Sequence, residues 1–149
     1  MNPLATTTAR GISDRAYQKS STGTVKNVSE LAGRSLLSVL FLLSGVGKIG
    51  AYAATGTYMS SFGVPGVLLP VVIATEVLGA IAIMLGWQTR ITAFLLAGYS
   101  LLAALIFHAN FADQIEMIMF LKNVSIAGGF LLLAANGAGA LSVDRRLAK

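Results

Sequence analysis

The chain contains no cysteine among its 149 residues. It therefore cannot form disulfides, bind zinc or an iron–sulfur cluster through thiolates, or carry out dithiol redox chemistry. Histidine is almost as scarce, because His108 is the single one, and one chain cannot hold a haem between two histidines. The sequence predicts no metal site.

Charged side chains are also scarce, at 11% of the chain, whereas 55% of the residues are hydrophobic. A soluble domain has about 25% charged residues, so a soluble fold of this size would lack the polar surface needed to cover its apolar residues. Lipid removes this difficulty, because apolar side chains can then face outward. The net charge is +5, but the basic residues flank hydrophobic segments and form no stripe with interleaved aromatic residues, which argues against nucleic-acid binding.

Four long apolar segments dominate the rest of the chain. They run from about Leu31 to Ile49, Pro65 to Leu85, Ile91 to Phe107 and Met117 to Ala135. Each is about 20 residues long, which is the length that an α-helix needs to cross a bilayer. The runs are continuous and lack the alternation of β-barrel strands, so each is predicted to be helical. The predicted fold class is all-α, a transmembrane four-helix bundle whose partner is the lipid bilayer.

Two polar regions flank this bundle, which is predicted to occupy residues 30–137. Residues 1–29 are rich in Ser and Thr and lack apolar periodicity, so they are predicted to form a tail that is disordered or lies at the membrane surface. Residues 138–149 are predicted to form a basic cytoplasmic tail.

The sequence Ala51-Tyr52-Ala53 resembles a signal-peptide cleavage site, but the polar region before the first apolar segment is unusually long for a signal. The connection that follows is long enough for a short interfacial or re-entrant piece.

Basic residues outside the apolar segments are confined to one side of this topology. They precede or open helix one, separate helices two and three, or follow helix four: Arg10, Arg15, Lys19, Lys26, Arg34, Arg90, Arg145, Arg146 and Lys149. The positive-inside rule therefore predicts that both termini are cytoplasmic, in a multi-pass protein of the bacterial cytoplasmic membrane. Arg34 and Arg90 are predicted to anchor the cytoplasmic face, Arg34 by extending its side chain to water.

A few polar side chains interrupt the apolar segments. Their positions place them at similar depths in the outer half of the bundle: Lys48, Glu76, His108, Lys122 and Asn123. A charge at mid-bilayer costs roughly 2.5–3.5 kcal/mol, so such groups are expected to be paired, hydrated or functional. We predict that these five residues, from four different helices, form one intramembrane polar cluster.

Small residues predict which helix faces pack together, because they let membrane helices approach closely. One such face on helix three comprises Ala93, Ala97, Ser100 and Ala104. On helix four, Lys122, Ser125 and Gly129 share one stripe. The polar groups are therefore expected on packed faces rather than on lipid-facing ones.

Two interpretations of the polar cluster are open. In the structural one, Glu76 forms a buried ion pair with Lys48 or Lys122 that fixes helix register. In the functional one, the cluster lines a cavity for an anionic or hydrogen-bond-accepting head group, such as a quinone, or forms a proton relay. His108 by itself is typical of a solvated or capping residue at an interface.

Several short motifs follow one another along the chain at defined spacings. They are Gly33-Arg34, Phe41-Leu-Leu-Ser-Gly-Val-Gly-Lys48, Gly63-Val64-Pro65, Glu76, Leu85-Gly86, Thr89-Arg90, Phe107-His108, Phe120-Leu-Lys122-Asn123, Gly128-Gly129 and Ser142-Val-Asp144-Arg145. In this order and spacing, over about residues 31 to 146, they resemble the DoxX family of small bacterial and archaeal membrane proteins. The resemblance implies a four-helix membrane protein. Some relatives are associated with quinone-linked oxidation of sulfur compounds or with resistance to quinones and oxidative stress.

The resemblance and the polar cluster together predict a membrane component of a quinone-linked redox or oxidative-stress system. A quinone would be its cofactor, and a redox partner protein or further copies of the chain its partners. Whether the chain is itself an enzyme stays open, and the mechanism of the distantly similar thiol–quinone enzymes cannot transfer to a chain without cysteine. A non-catalytic scaffold or assembly subunit is the alternative. A small transporter or proton pathway through Glu76 is a third hypothesis, which the absence of an internal repeat disfavours.

Overall fold

The computed structural model describes the backbone of residues 3–148 and the side chains of residues 23–148. Its elements in chain order are α1 (Pro3–Gly50), α2 (Tyr52–Ser61), a 3₁₀ turn (Gly66–Leu68), α3 (Leu69–Leu85), α4 (Thr89–Phe107), α5 (Gln114–Asn136) and α6 (Val143–Leu147). No strand occurs in this part of the chain. The prediction of an all-α fold is confirmed.

Four helical stretches are long and apolar enough to cross a membrane: Gly23–Gly50, Gly66–Leu85, Thr89–Phe107 and Gln114–Asn136. The last residues predicted for the four segments agree with these ends to within one residue. The short piece predicted between the first two spans is α2. Because lipid offers no hydrogen-bond partners, each span satisfies its own backbone by forming a helix.

The first helix begins well before its apolar segment. It continues through the polar region that the sequence predicts to be disordered or to lie at the membrane surface, so the structure differs from the expectation of disorder over residues 3–29. Lys26 Nζ lies 3.8 Å from Glu30 Oε1, one helical turn further on. A helix that the membrane segment has already nucleated extends at little further cost, which explains the polar turns. The prediction for Met1 and Asn2, and for side chains before Gly23, lies outside the described residues.

The spans pack as two close pairs, α1 with α3 and α4 with α5, which meet where α3 packs on α4. Glycine permits two of these approaches. A Cβ atom on Gly45 would lie 2.7 Å from Val77 Cγ2, and one on Gly79 would lie 3.0 Å from Leu96 Cδ2. The small-residue face predicted for α4 is confirmed, since its four members are all buried: Ala93, Ala97, Ser100 and Ala104.

The C-terminal segment folds back onto the connection between α3 and α4. The backbone N–H of Asp144 donates to Gly86 O at 2.9 Å. Its carboxylate accepts from the backbone N–H groups of Gln88 (2.8 Å) and Thr89 (2.9 Å), at the start of α4. The predicted basic tail is thus tied to the bundle by these hydrogen bonds within residues 138–148, and its cytoplasmic position stays a prediction. Lys149 lies outside the described residues.

Arg34 is buried beneath this folded-back segment, with 2% of its surface exposed. Its Nη2 donates to Leu141 O at 2.6 Å, and its Nη1 donates to Ile83 O at 3.4 Å. The prediction that Arg34 extends to water is wrong, because the C-terminal segment covers it and supplies a carbonyl acceptor. Arg90, the other predicted anchor, is exposed and donates to Ala135 O at 2.8 Å, near the end of α5.

Candidate intramembrane binding site

A cavity of about 440 Å³ lies between the helices in the half of the bundle covered by α2. Side chains from α1 to α5 line it. Much of its wall is apolar, with contributions from Leu40, Val72, Leu102, Ile106 and Ile126. Pockets that bind small molecules are commonly about 300–1,000 Å³ and mostly apolar, with a few polar groups that orient the ligand. The cavity therefore has the size and the composition of a small-molecule site.

All five residues of the predicted polar cluster line this one cavity: Lys48, Glu76, His108, Lys122 and Asn123. They reach it from α1, α3, α4 and α5, as their depths along the spans predict. Ser125, which the sequence places on the same stripe as Lys122, is instead exposed. Gly129, the third residue of that stripe, faces Leu37 of α1: a Cβ there would lie 3.5 Å from Leu37 Cδ2.

The Lys48–Glu76 ion pair joins α1 to α3 at the wall of the cavity. Lys48 Nζ lies 2.9 Å from Glu76 Oε1 and 2.8 Å from Oε2, and it also donates to Ser44 Oγ at 2.6 Å. The Tyr99 hydroxyl donates to Glu76 Oε1 at 2.7 Å. The Glu76 side chain is 5% exposed and that of Lys48 is 24% exposed. The partner of Glu76 is thus Lys48, and its negative charge is balanced within hydrogen-bond distance.

The predicted polar cluster did not include Ser44 and Tyr99, which belong to this network. Ser44 precedes Lys48 by one helical turn, and this spacing predicts that both lie on one face of the helix. Tyr99 adjoins Ser100 of the small-residue face on α4. A tyrosine within a membrane span needs a partner for its hydroxyl, and that signal was available.

Lys122 lines the same cavity without a carboxylate partner. Its Nζ lies 3.1 Å from Met119 Sδ, and a thioether is only a weak acceptor. No Asp or Glu within the described part of the chain lies within ion-pair distance of it. The neighbouring Asn123 donates from Nδ2 to Met119 O at 3.0 Å. Lys122 therefore carries a positive charge that no acidic side chain described in the structure balances.

At the end next to α2, the cavity is bordered by a second polar pair. His108 Nδ1 lies 2.6 Å from Glu116 Oε2, and these side chains are 22% and 31% exposed. Tyr58 of α2 lines the cavity beside them and stacks on Phe107, with ring centroids 5.6 Å apart. Burial, with the nearby Glu116 carboxylate, raises the pKa of Tyr58, so its hydroxyl stays protonated and can donate a hydrogen bond.

Glu116 was missed as a partner of the polar cluster. The sequence shows it only as a charge in the third connection, followed by α5. In the structure the Asp113 side chain accepts from the backbone N–H groups of Ile115 and Glu116. This cap fixes the first turn of α5 and thereby places the Glu116 carboxylate opposite His108. Loop geometry of this kind is not encoded in helical periodicity.

Comparison with known proteins identifies the family. The sequence model of DoxX matches residues 29–109. The chain belongs to the DoxX family. Two relatives come from Escherichia coli (strain K12). Inner membrane protein YqjF is 50% identical over 125 residues, which is 84% of this chain and 96% of the relative. Inner membrane protein YphA is 42% identical over 131 residues, or 83% of this chain and 94% of the relative.

No solved structure is significantly similar to this DoxX protein. The family match runs from α1 to the end of α4 and includes three residues of the predicted polar cluster, Lys48, Glu76 and His108. Lys122 and Asn123 lie beyond it, on α5. The resemblance that the motifs indicated is confirmed, and it concerns a membrane protein family rather than a defined activity.

Proposed function

We propose that this DoxX protein binds the polar head of a lipid-soluble molecule in its intramembrane cavity, and that this molecule is a quinone serving a redox or oxidative-stress system. The observation that carries the proposal is the unbalanced cation at Lys122. Lys48 is neutralised by Glu76, and His108 lies against Glu116. A cavity with one free ammonium group favours an anionic or hydrogen-bond-accepting ligand.

The residues present fit a quinone head group. Its ring would lie against the apolar wall, and its carbonyl oxygens need donors, which Lys122 and Tyr58 can supply. When bound, a quinone accepts two electrons and two protons. The protein's own residues would hold the head, orient it and exclude water from it.

The electrons would come from a partner, because a chain without cysteine has no thiol with which to reduce a quinone. The chain then acts as the quinone-binding component of an assembly, together with a redox protein or with further copies of itself. This role matches the scarcity of charge on its membrane-spanning surface and the small size of the chain.

The protein is a multi-pass protein of the bacterial inner membrane, as are its relatives YqjF and YphA. We infer from the distribution of Lys and Arg that both termini are cytoplasmic. The cavity would then open toward the outer half of the bilayer. A fusion of alkaline phosphatase to the C-terminus should be inactive, and a fusion of green fluorescent protein at the same place should fluoresce.

Ligand binding by Lys122→Met tests the proposal. The purified protein in lipid nanodiscs is titrated with decylubiquinone, and binding is followed by equilibrium dialysis against protein-free nanodiscs. We expect the Kd to rise at least tenfold in Lys122→Met, a loss of about 1.4 kcal/mol. Lys26→Met is the matched control, because Lys26 is 73% exposed and lies outside the cavity.

An unchanged Kd in Lys122→Met would contradict the proposal, as would the absence of saturable binding by the wild type. Glu76→Gln should also weaken binding, by loosening Lys48 and Tyr99 at the cavity wall, and by more than it lowers the yield of inserted protein. Native mass spectrometry from mild detergent should show retained quinone in the wild type.

A non-catalytic scaffold is the second candidate function. The saturated contacts of Glu76, which accepts from both Lys48 and Tyr99, favour it, because a fully paired ion can serve simply to fix helix register. A scaffold predicts co-purification with a partner protein and no ligand in the cavity. It also predicts that Glu76→Gln lowers folding and function equally.

A further inference from the structure

The seam between α1 and α5, meaning the line along which these two helices adjoin, is closed along only part of its length. Phe41 and Phe130 pack edge to face with ring centroids 5.3 Å apart. At the neighbouring position Leu37 contacts the surface of Gly129. These contacts join α1 to α5 on the side of the bundle away from α2, and beyond them the two helices have few contacts.

Further toward α2, residues of α1 and α5 line the cavity instead of each other. On α1 these are Leu40, Ser44 and Lys48, and on α5 they are Lys122, Asn123 and Ile126. From Leu40 to Lys48 the helix rises about 12 Å, at 1.5 Å per residue. Leu40 lines the cavity and is nevertheless 43% exposed, and Lys122 is exposed as well. Residues that border an interior space and also reach the outer surface mark an opening.

The other helix contacts at this level are closed to different extents. Between α1 and α3, Gly45 lies against Val77 and Lys48 binds Glu76. The contact between α4 and α5 is the most extensive one in the described bundle. Between α3 and α4, Tyr99 binds Glu76, but Leu102 and Ile106 of α4 line the cavity and are 59% and 41% exposed. The α1–α5 contact is sparser than the α3–α4 contact and carries the exposed cation Lys122, so we infer that the opening an acceptor group would use lies between α1 and α5, on a surface that faces lipid.

We propose that this opening is a lateral portal, through which the ligand enters from the bilayer and the apolar tail of the bound ligand extends into lipid. The proposal rests on the proposed function, because it concerns the same ligand in the same cavity. The occupant is an amphiphile with a hydrogen-bond-accepting or anionic head and a long apolar tail, not a small soluble anion.

The position of Lys122 supports this occupant. Its ammonium group lies at the edge of the portal, within a membrane-spanning segment and without a carboxylate partner. An unpaired lysine exposed toward hydrocarbon is costly, and an acceptor group entering through the portal would meet it first. The apolar residues that flank the portal, Leu40 and Ile126, would contact the first carbons of the tail.

A photolabelling experiment tests the portal directly. The wild-type protein in nanodiscs is incubated with a benzoquinone that carries a decyl tail with a diazirine at its tip, irradiated, digested and mapped by mass spectrometry. We expect the label on the lipid-facing parts of α1 and α5, around Leu36, Leu43, Leu121 and Val124. An excess of unlabelled decylubiquinone should remove it. Label on α2 or on residues 108–113 would overturn the portal, since the tail would then leave through the end of the cavity. Label around Leu102 and Ile106 would overturn it too, since the tail would then leave beside α4.

Two variants extend the test. Leu40→Trp places an indole in the portal, whereas Leu132→Trp places one on a part of α5 that is 68% exposed and does not line the cavity. We expect Leu40→Trp to weaken binding of the tailed quinone at least fivefold and of the tail-less benzoquinone less than twofold, and Leu132→Trp to change neither. Equal affinity of both variants for the tailed quinone would overturn the portal. If the wild type binds neither probe, the proposed function itself fails, whereas binding without portal labelling contradicts only the portal.

Discussion

Removing Lys48 should destabilise the bundle more than removing the charge of its partner Glu76. In Lys48→Met, the Glu76 carboxylate is left 5% exposed with only the Tyr99 hydroxyl as donor. In Glu76→Gln, the remaining Lys48 side chain is 24% exposed and lies in the last turn of α1. There it can extend toward the interface. The two substitutions break the same ion pair but leave charges in different surroundings.

The magnitudes follow from this asymmetry. Breaking a buried ion pair by removing one partner costs about 3–5 kcal/mol. Because the Tyr99 hydrogen bond to Glu76 remains, we expect Lys48→Met to lose about 3 kcal/mol of unfolding free energy, at the low end of this range. Glu76→Gln keeps an acceptor for Tyr99 and leaves a cation that can reach water, so we expect about 1 kcal/mol. The double variant buries no charge, and it should be more stable than Lys48→Met alone by about 1–2 kcal/mol.

The assay is reversible unfolding in mixed detergent micelles, followed by far-ultraviolet circular dichroism, for the wild type, the two single variants, the double variant and the Lys26→Met control. If the losses of unfolding free energy in the two single variants sum to the loss in the double variant within about 0.5 kcal/mol, the two side chains are not coupled. Either that result or a larger loss in Glu76→Gln than in Lys48→Met would refute the reasoning.

Three further outcomes concern backbone contacts and acid stability. Gly86→Ala should lower the free energy of unfolding by about 2 kcal/mol or more, because φ is 70° there and a Cβ would collide with the Arg34 guanidinium. A thermal midpoint equal to that of the wild type would contradict this. Gly45→Leu should cost about 1–3 kcal/mol by crowding Val77, and a second change, Val77→Ala, should restore part of it. Burial raises the pKa of Asp144, but its hydrogen bonds to the start of α4 and the Arg34 charge outweigh burial, so the pKa lies below the ordinary value of 3.8. Its contribution is therefore fully present above about pH 4 and is lost as the pH falls through that lowered pKa. Asp144→Asn should lower stability by about 0.5–1 kcal/mol at neutral pH and make acid unfolding less steep, and identical acid profiles would count against the cap.

The spans could be predicted from the sequence because the bilayer imposes both their length and their continuous apolar character. The depth of a polar residue along a span follows from the helical rise, which is why five residues from four helices could be assigned to one region. To predict that these residues lie together, it is enough to know their depth along each span and that their side chains face the interior of the bundle. The detailed packing of the helices is not required.

Other features depend on rotation and on long-range contacts. Lys48 and Lys122 lie at comparable depths, and only the packing of α1 on α3 makes Lys48 the partner of Glu76. Arg34 is buried by Leu141, a residue 107 positions further along the chain, so no local pattern could have indicated it. The His108–Glu116 contact depends on the turn that the Asp113 cap fixes, which periodicity cannot describe.

The carbonyl of Leu141 and the carboxylate of Asp144 have a consequence for the order in which the protein is made. Arg34 enters the membrane with the first span, yet the carbonyl that accepts its shorter hydrogen bond and the carboxylate that caps α4 are synthesised after the fourth span. During translation we therefore expect the guanidinium to stay at the membrane interface until these groups are made. The bundle can close only once residues 141–144 have left the ribosome, so release of a chain shortened before Leu141 should yield inserted helices that fail to assemble and become substrates for membrane proteases.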